Sequence, residues 1–151
     1  MAKLQGTTGK TLMIVEDEML VAMVLNDALE AAGHHVLDLT DRHAEAIEVA
    51  KASKPDLALV NIRLAGSDDG VALAEQLKAL DIPVLFISGQ SSRARLSRTA
   101  AIASLPKPYD AADMVIAVAY LLARIDGDHS LPRPPGLEVF DDSGMGLEPA
   151  T

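Results

Sequence analysis

The stretch LALVNIRLAGSDDG, residues Leu57 to Gly70, joins a run of apolar residues to a loop rich in Gly and Asp. An unbroken apolar run of this length indicates a strand buried on both faces, as in a parallel sheet covered by helices. The first polar residue after the run is Asn61. A neutral amide is unexpected there, because the chain holds 22 acidic residues against 13 Lys and Arg.

Apolar runs alternate with helical periods on both sides of this stretch. The predicted strands cover residues 11–15, 35–39, 56–60, 84–88 and 103–106, and the predicted helices cover 18–32, 41–52, 71–80, 92–102 and 111–125. Connections between parallel strands of one sheet are right-handed. This (βα)5 pattern therefore predicts an α/β fold, a doubly wound parallel five-stranded sheet with helices on both faces.

The chain divides into three segments by composition. Residues 1–10 are polar without a period, which predicts a flexible N-terminal arm. Residues 11–125 carry the α/β pattern and are expected to form one domain. Residues 126–151 hold four prolines, six acidic residues and one basic residue. That composition predicts an acidic tail that is disordered or becomes ordered by a partner.

Composition excludes several classes of function. The net charge of −9 disfavours nucleic acid as a partner, since Lys and Arg must neutralise phosphates there. The chain lacks cysteine, so it has no disulfide framework or thiolate zinc site, and we expect a cytoplasmic protein. No apolar run reaches the roughly 18 residues that a membrane-spanning helix needs, and no signal peptide is visible.

Polar residues follow four of the predicted strands directly: Glu16 and Asp17, Asn61, Ser88, and Lys107. The carboxyl ends of parallel strands meet at one edge of a sheet, so we expect these side chains to converge. Each also has an ordinary explanation, as a helix-terminal acid, a turn residue, a helix cap or a surface lysine. Together, acids able to hold a cation, a hydroxyl and an ammonium group suit the handling of phosphoryl groups.

Over about residues 11–125 the chain resembles the receiver domain of two-component response regulators. The resemblance rests on four motifs in order: the acidic pair in MIVEDE, the strand PDLALVNIRL, the hydroxyl in FISG and the lysine in LPKPYD. The fold that it implies is flavodoxin-like, with strand order 2-1-3-4-5.

In that family an aspartate at the position of Asn61 accepts a phosphoryl group from a kinase's phosphohistidine while Mg²⁺ is bound. The resemblance implies a Mg²⁺ site formed by Glu16, Asp17, Asn61 and the backbone carbonyl of Arg63. It further implies that Ser88 contacts the phosphoryl group and that Lys107 pairs with the acidic pocket. The implied partner is a sensor histidine kinase or a phosphotransfer protein.

The amide of Asn61 changes this chemistry. It cannot form the acyl phosphate, because the attacking oxygen must belong to an anionic carboxylate. The loss of one negative charge also predicts weaker Mg²⁺ binding. Two explanations stay open: an engineered Asp-to-Asn form of a working receiver, or a natural phosphorylation-independent pseudo-receiver that acts as a protein-binding adaptor. The retained acids and lysine favour the first.

The output is expected to be a protein contact rather than catalysis. No DNA-binding or enzymatic pattern follows Ile125, and the motifs GxGxxG and GxxxxGK[ST] of nucleotide-binding enzymes do not occur. The predicted helix 111–125 is apolar on most sides, which favours a homodimer through this helix or docking to a kinase. The alternative is that Leu137, Val139 and Phe140 fold back over it.

Overall fold

The computed structural model describes residues 9–37, 39–63, 69–89 and 99–140. The strands are β1 (Thr11–Val15), β2 (His35–Val36), β3 (Leu57–Asn61), β4 (Val84–Ser88), β5 (Ala103–Pro106) and β6 (Glu138–Val139). The helices are α1 (Met19–Ala31), α2 (His43–Ser53), α3 (Gly70–Ala79) and α4 (Ala111–Ile125). The helix predicted over residues 92–102 falls mainly outside the described residues.

The sheet has the order β2-β1-β3-β4-β5-β6, and its first five strands are parallel. The doubly wound flavodoxin-like fold and the strand order 2-1-3-4-5 are therefore confirmed. In the register of the central strand, Leu59 of β3 lies opposite Ile14 of β1 on one side and Leu85 of β4 on the other. All five residues of β3 are buried, which explains its unbroken apolar run.

Two hydrophobic clusters cover the two faces of the sheet. Successive side chains of a strand point to opposite faces, so Leu12 of β1 belongs to one cluster and Met13 to the other. The first cluster includes residues of α1 and α4, such as Leu25 and Leu121. The second includes residues of α2 and α3, such as Leu73. Helices on both faces thus hold the carboxyl edge of the sheet in place.

The C-terminal segment corrects the predicted tail. Residues Glu138–Val139 form a sixth strand antiparallel to β5, so the sheet has six strands, and residues 126–140 have a defined course instead of disorder. The reason is apolar burial: Leu137 and Phe140 are 5% and 4% exposed and lie in the two different clusters. Residues 141–151 lie outside the described residues.

The same segment accounts for part of the apolar surface of α4. Leu137 packs in the cluster that contains most of the buried residues of this helix. On α4 itself, Ile116 and Ile125 remain 55% and 36% exposed. The fold-back that the sequence left as an alternative is present for Leu137 and Val139, whereas Phe140 packs in the cluster on the opposite face. A homodimer through α4 stays a prediction. None of the described helices has the length and apolar content to cross a lipid bilayer.

Gly70 at the start of α3 leaves no room for a side chain. A methyl group there would overlap the carbonyl oxygen of Asn61 and lie 2.7 Å from the Cα atom of Ile62. Because backbone atoms must shift to relieve this overlap, we expect Gly70→Ala to lower the free energy of unfolding by about 1–3 kcal/mol in urea titrations. Gly89→Ala is the control, since a methyl group at Gly89 meets nothing within 4 Å in the described structure. Equal stability of the two variants would contradict this prediction.

His34 links stability to pH. Its ring is buried, its Nδ1 atom has no hydrogen-bond partner among the described residues, and burial lowers its pKa below the usual value. The folded chain then binds fewer protons here than the unfolded chain, so this contribution is complete above about pH 6.5 and is lost as pH falls. We expect His34→Gln to lose less stability than the parent chain between about pH 7 and pH 5. His35→Gln, at the exposed neighbour, should follow the parent; identical pH profiles for all three proteins would contradict this.

Candidate functional site

The polar residues that end or directly follow the strands lie together at the carboxyl edge of the sheet. Asp17, Asn61, Arg63, Ser88 and Lys107 line one cavity of about 520 Å³. The carboxyl group of Glu16, the remaining predicted site residue, is buried beside them within hydrogen-bond distance of Asn61. The structure thus brings together every side chain that the sequence predicted to converge.

The amide of Asn61 lies between the two carboxylates of the site. Its Nδ2 atom donates to Oε2 of Glu16 at 3.0 Å and to Oδ1 of Asp17 at 3.3 Å. Its Oδ1 atom accepts a hydrogen bond from the backbone N–H of Arg63 at 3.3 Å. Asn61 and Glu16 are buried, so the bond between them forms with little competition from water, whereas the second acceptor, Asp17, is exposed. Both ends of the amide therefore have partners.

Glu16 carries a buried carboxyl group in the site. Burial raises its pKa above the usual value, and its interaction with Asp17 raises it further. The backbone N–H of Glu18, the Asn61 amide and the charge of Lys107 oppose this rise. The Oε1 atom of Glu16 is buried without a hydrogen-bond partner in the described structure. A positive group placed here would lower the cost of the buried charge.

The side chains of the site are of the types that bind divalent cations. Mg²⁺ prefers oxygen ligands and binds through one or two carboxylates together with waters, and Glu16 and Asp17 could supply these. The unpartnered Oε1 atom of Glu16 is a carboxylate oxygen still open to a ligand. Asn61 would have to turn its amide to present oxygen, because Nδ2 now faces both carboxylates. In the described ranges, no cluster of three or more His, Cys, Asp or Glu side chains could hold a metal ion.

The backbone around the site is held by bonds between neighbouring elements. The N–H of Gly70 donates to the carbonyl of Ile62 at 2.8 Å, which brings the start of α3 against the end of β3. The N–H of Lys107 donates to the carbonyl of Ser88 at 2.8 Å, which joins the ends of β4 and β5. These bonds set the positions from which Asn61 and Lys107 enter the cavity.

Tyr109 is a site neighbour that the sequence analysis did not identify. Its hydroxyl is buried without a hydrogen-bond partner among the described residues. Burial, together with the negative charges of Glu16 and Glu18, raises its pKa to about 12. Tyr109 and Lys107 also line a second, apolar cavity of about 590 Å³ beside α1. The available signal was an aromatic residue directly after Lys107-Pro108, in a chain with two Tyr and two Phe.

Comparison with known proteins gives a consistent result. The family model of the response regulator receiver domain matches residues 12–119. The phyllosphere-induced regulator PhyR of Methylorubrum extorquens is 38% identical over 84 residues, which cover 54% of this chain and 32% of that protein. The transcriptional regulatory protein PdtaR of Mycobacterium tuberculosis is 28% identical over 119 residues, which cover 76% of this chain and 58% of that protein. The chain thus spans less than two thirds of either relative.

Solved structures with a similar fold also include receiver domains and response regulators. The signal receiver domain of a modulated diguanylate cyclase from Desulfovibrio desulfuricans is 34% identical with a TM-score of 0.65, covering 76% of this chain and 93% of that one. The response regulator PhyR from Brucella abortus is 30% identical with a TM-score of 0.64, covering 78% of this chain and 48% of that one. Since the family model matches well over half of its length, the chain belongs to the response regulator receiver domain family.

Proposed function

We propose that the chain is a receiver of a two-component phosphorelay that cannot be phosphorylated at its acceptor position, because Asn61 occupies that position. Receiver domains are regulatory modules that interact with kinases or phosphotransfer proteins. The observation that carries the proposal is the amide of Asn61, 3.0 Å from Glu16 and 3.3 Å from Asp17. The proposal keeps the cytoplasmic location expected from the sequence.

The chemistry of the amide supports the loss of phosphorylation. Phosphoryl transfer to this position needs an anionic oxygen that attacks phosphorus, and an amide oxygen is neutral. Here that oxygen also accepts a hydrogen bond from the backbone of Arg63. The Nδ2 atom meanwhile supplies N–H groups to both carboxylates, which a cation would otherwise neutralise. Mg²⁺ must therefore compete with a hydrogen-bonded amide, and we expect its binding to be weak.

A second candidate is a natural pseudo-receiver that acts as a protein-binding adaptor without phosphate. The two hydrogen bonds of Nδ2 favour it, because they give one oxygen of Glu16 and one of Asp17 a donor without any metal. Against it stands Lys107, which a site without phosphoryl chemistry has little reason to keep. In both cases the chain as it stands engages its partner in the unphosphorylated form.

The partner surface that we propose lies on α1, next to the site. Four large apolar side chains of this helix are about half exposed or more: Met19, Leu20, Met23 and Val24. Leu20 and Val24 also line the apolar cavity that ends at Tyr109. An apolar patch beside a regulatory pocket suits a sensor histidine kinase or a phosphotransfer protein. We also propose a homodimer through α4, on which Ile116 and Ile125 stay exposed.

Asn61→Asp should restore a charged acceptor at a cost in stability. The change adds a third carboxylate and removes both hydrogen bonds of Nδ2, so we expect the metal-free free energy of unfolding to fall by about 1 kcal/mol or more. Mg²⁺ should then stabilise the variant and bind it more tightly than it binds the parent chain. Thermal melting and calorimetric titration with Mg²⁺ measure these effects.

Gln76→Glu is the matched control for this prediction. It adds one negative charge at an exposed position of α3, six residues after Gly70, the residue of this helix that meets the backbone of Asn61. The control should show neither the loss of stability nor the response to Mg²⁺. Equal stability and equal Mg²⁺ affinity in the parent chain and in Asn61→Asp would contradict the proposed role of the amide.

Incubation with acetyl phosphate and Mg²⁺ tests the function itself. In Asn61→Asp, a carboxylate oxygen can attack phosphorus with acetate as the leaving group, so intact mass spectrometry should show one added phosphoryl group. The parent chain should remain unmodified. An adduct on the parent chain would overturn the proposal, and the absence of an adduct on both proteins would favour the adaptor.

A further inference from the structure

The segment from Gly127 to Phe140, which we name the strap, returns from the end of α4 to the edge of the sheet. Two anchors hold it: Leu137 packs with the cluster on the α1 and α4 face, and Phe140 packs with the cluster on the opposite face. The strap therefore pairs with the edge strand β5 and packs its two anchors on opposite faces of the sheet.

Between α4 and its anchors, the strap stands away from the domain. A cavity of about 360 Å³ lies between Leu105, Ile116 and the prolines of the strap. Leu131 is 43% exposed, and most of residues 131–136 are exposed as well. The N–H groups of Ser130 and Leu137 bond to acceptors within the strap itself. Opening the strap would thus expose its two anchors, the short strand β6 and the apolar surface of α4 that Leu137 packs against.

The strand β5 connects the strap to the Asn61 pocket. At its start, Ile102 accepts a hydrogen bond from the N–H of Phe140 and donates its own N–H to Val84, both at 2.9 Å. At its other end, β5 leads directly into Lys107, whose N–H bonds to Ser88. The side chain of Lys107 lines the pocket beside Asn61. A displacement of β5 would therefore change the position of the strap at one end and of Lys107 in the pocket at the other.

We propose that the strap is a reversible clasp on β5 and that its opening is coupled through β5 to the state of the Asn61 pocket. This rests on the proposed function in taking the pocket as the regulatory site. A negative charge added at position 61 draws Lys107 inward, shifts the end of β5 and loosens the clasp. Coupling of this kind acts equally in both directions.

A disulfide across the clasp tests the coupling from the strap side. Ala103 and Val139 are paired across β5 and β6. Since the neighbouring pair, Ile102 and Phe140, shares a backbone hydrogen bond, this is a non-hydrogen-bonded pair with Cα atoms about 4.5 Å apart, a distance that a disulfide can bridge. The chain has no cysteine, so the double variant Ala103→Cys with Val139→Cys forms only this crosslink within a monomer.

The readout is amide hydrogen exchange in the oxidised and reduced forms of this same full-length variant. Closure of the strap should slow exchange at Lys107 by about fivefold or more, as expected for coupled sites. The amide of Leu73, which bonds to Asp69 at the start of α3, serves as the internal control and should change much less. Unchanged exchange at Lys107 would overturn the coupling.

Asn61→Asp without Mg²⁺, which adds one negative charge to the pocket, tests the coupling from the pocket side, with Gln76→Glu as the control. Exchange at the amide of Phe140 should become faster by about fivefold or more in Asn61→Asp and stay unchanged in the control. Leu137→Ala should also speed hydrogen exchange at the amide of Phe140, whereas Leu131→Ala, in the exposed part of the strap, should leave it unchanged. If exchange at Phe140 matches that of the central strands in every protein, the strap opens only by global unfolding and the proposal is wrong. These results are independent of the acetyl phosphate experiment.

Discussion

The parallel pairing of β3 between β1 and β4 is the constraint on which the rest of the molecule depends. Its register places Val15 beside Val60, so the residues that follow them, Glu16 and Asn61, become neighbours although 45 positions separate them in the chain. The pairing of Ser88 with Pro106 brings Lys107 to the same edge. Hydrogen bonding between strands thus assembles the pocket, and the two apolar clusters keep those strands together.

The pocket shows how one neutral side chain alters a charged site. A buried carboxylate beside a second acid is costly: burial raises the pKa of Glu16, and its interaction with the exposed Asp17 raises it further. An aspartate at position 61 would add to the repulsion and would depend on a cation for relief. The Asn61 amide relieves it with N–H groups instead, and it removes the nucleophile in doing so. Under the proposed function, electrostatic relief and the loss of phosphoryl chemistry are two results of the same atom replacement.

The strands and the site residues could be predicted because they depend on local patterns. The apolar run of β3 is buried on both faces, and a polar residue directly after such a run must lie at the carboxyl edge. The course of the C-terminal segment could not be predicted in this way. Four prolines and an acidic composition resemble a disordered tail, whereas its order comes from Leu137 and Phe140, two separate residues without a period. The place of Tyr109 was also missed, because its neighbours Glu16 and Glu18 are close only in space.

The sequence by itself determined the fold class, the strand order expected for its family and the chemical types available at the carboxyl edge. The fold class and the chemical types follow from periodicity and composition, which are properties of short segments, whereas the strand order follows from the resemblance to the receiver family. Only the tertiary structure decided which atoms of Asn61 face the carboxylates, and that β6 closes the edge of β5. Such features depend on distances between segments far apart in the chain, and these distances are set by packing and hydrogen bonding after the whole domain has folded.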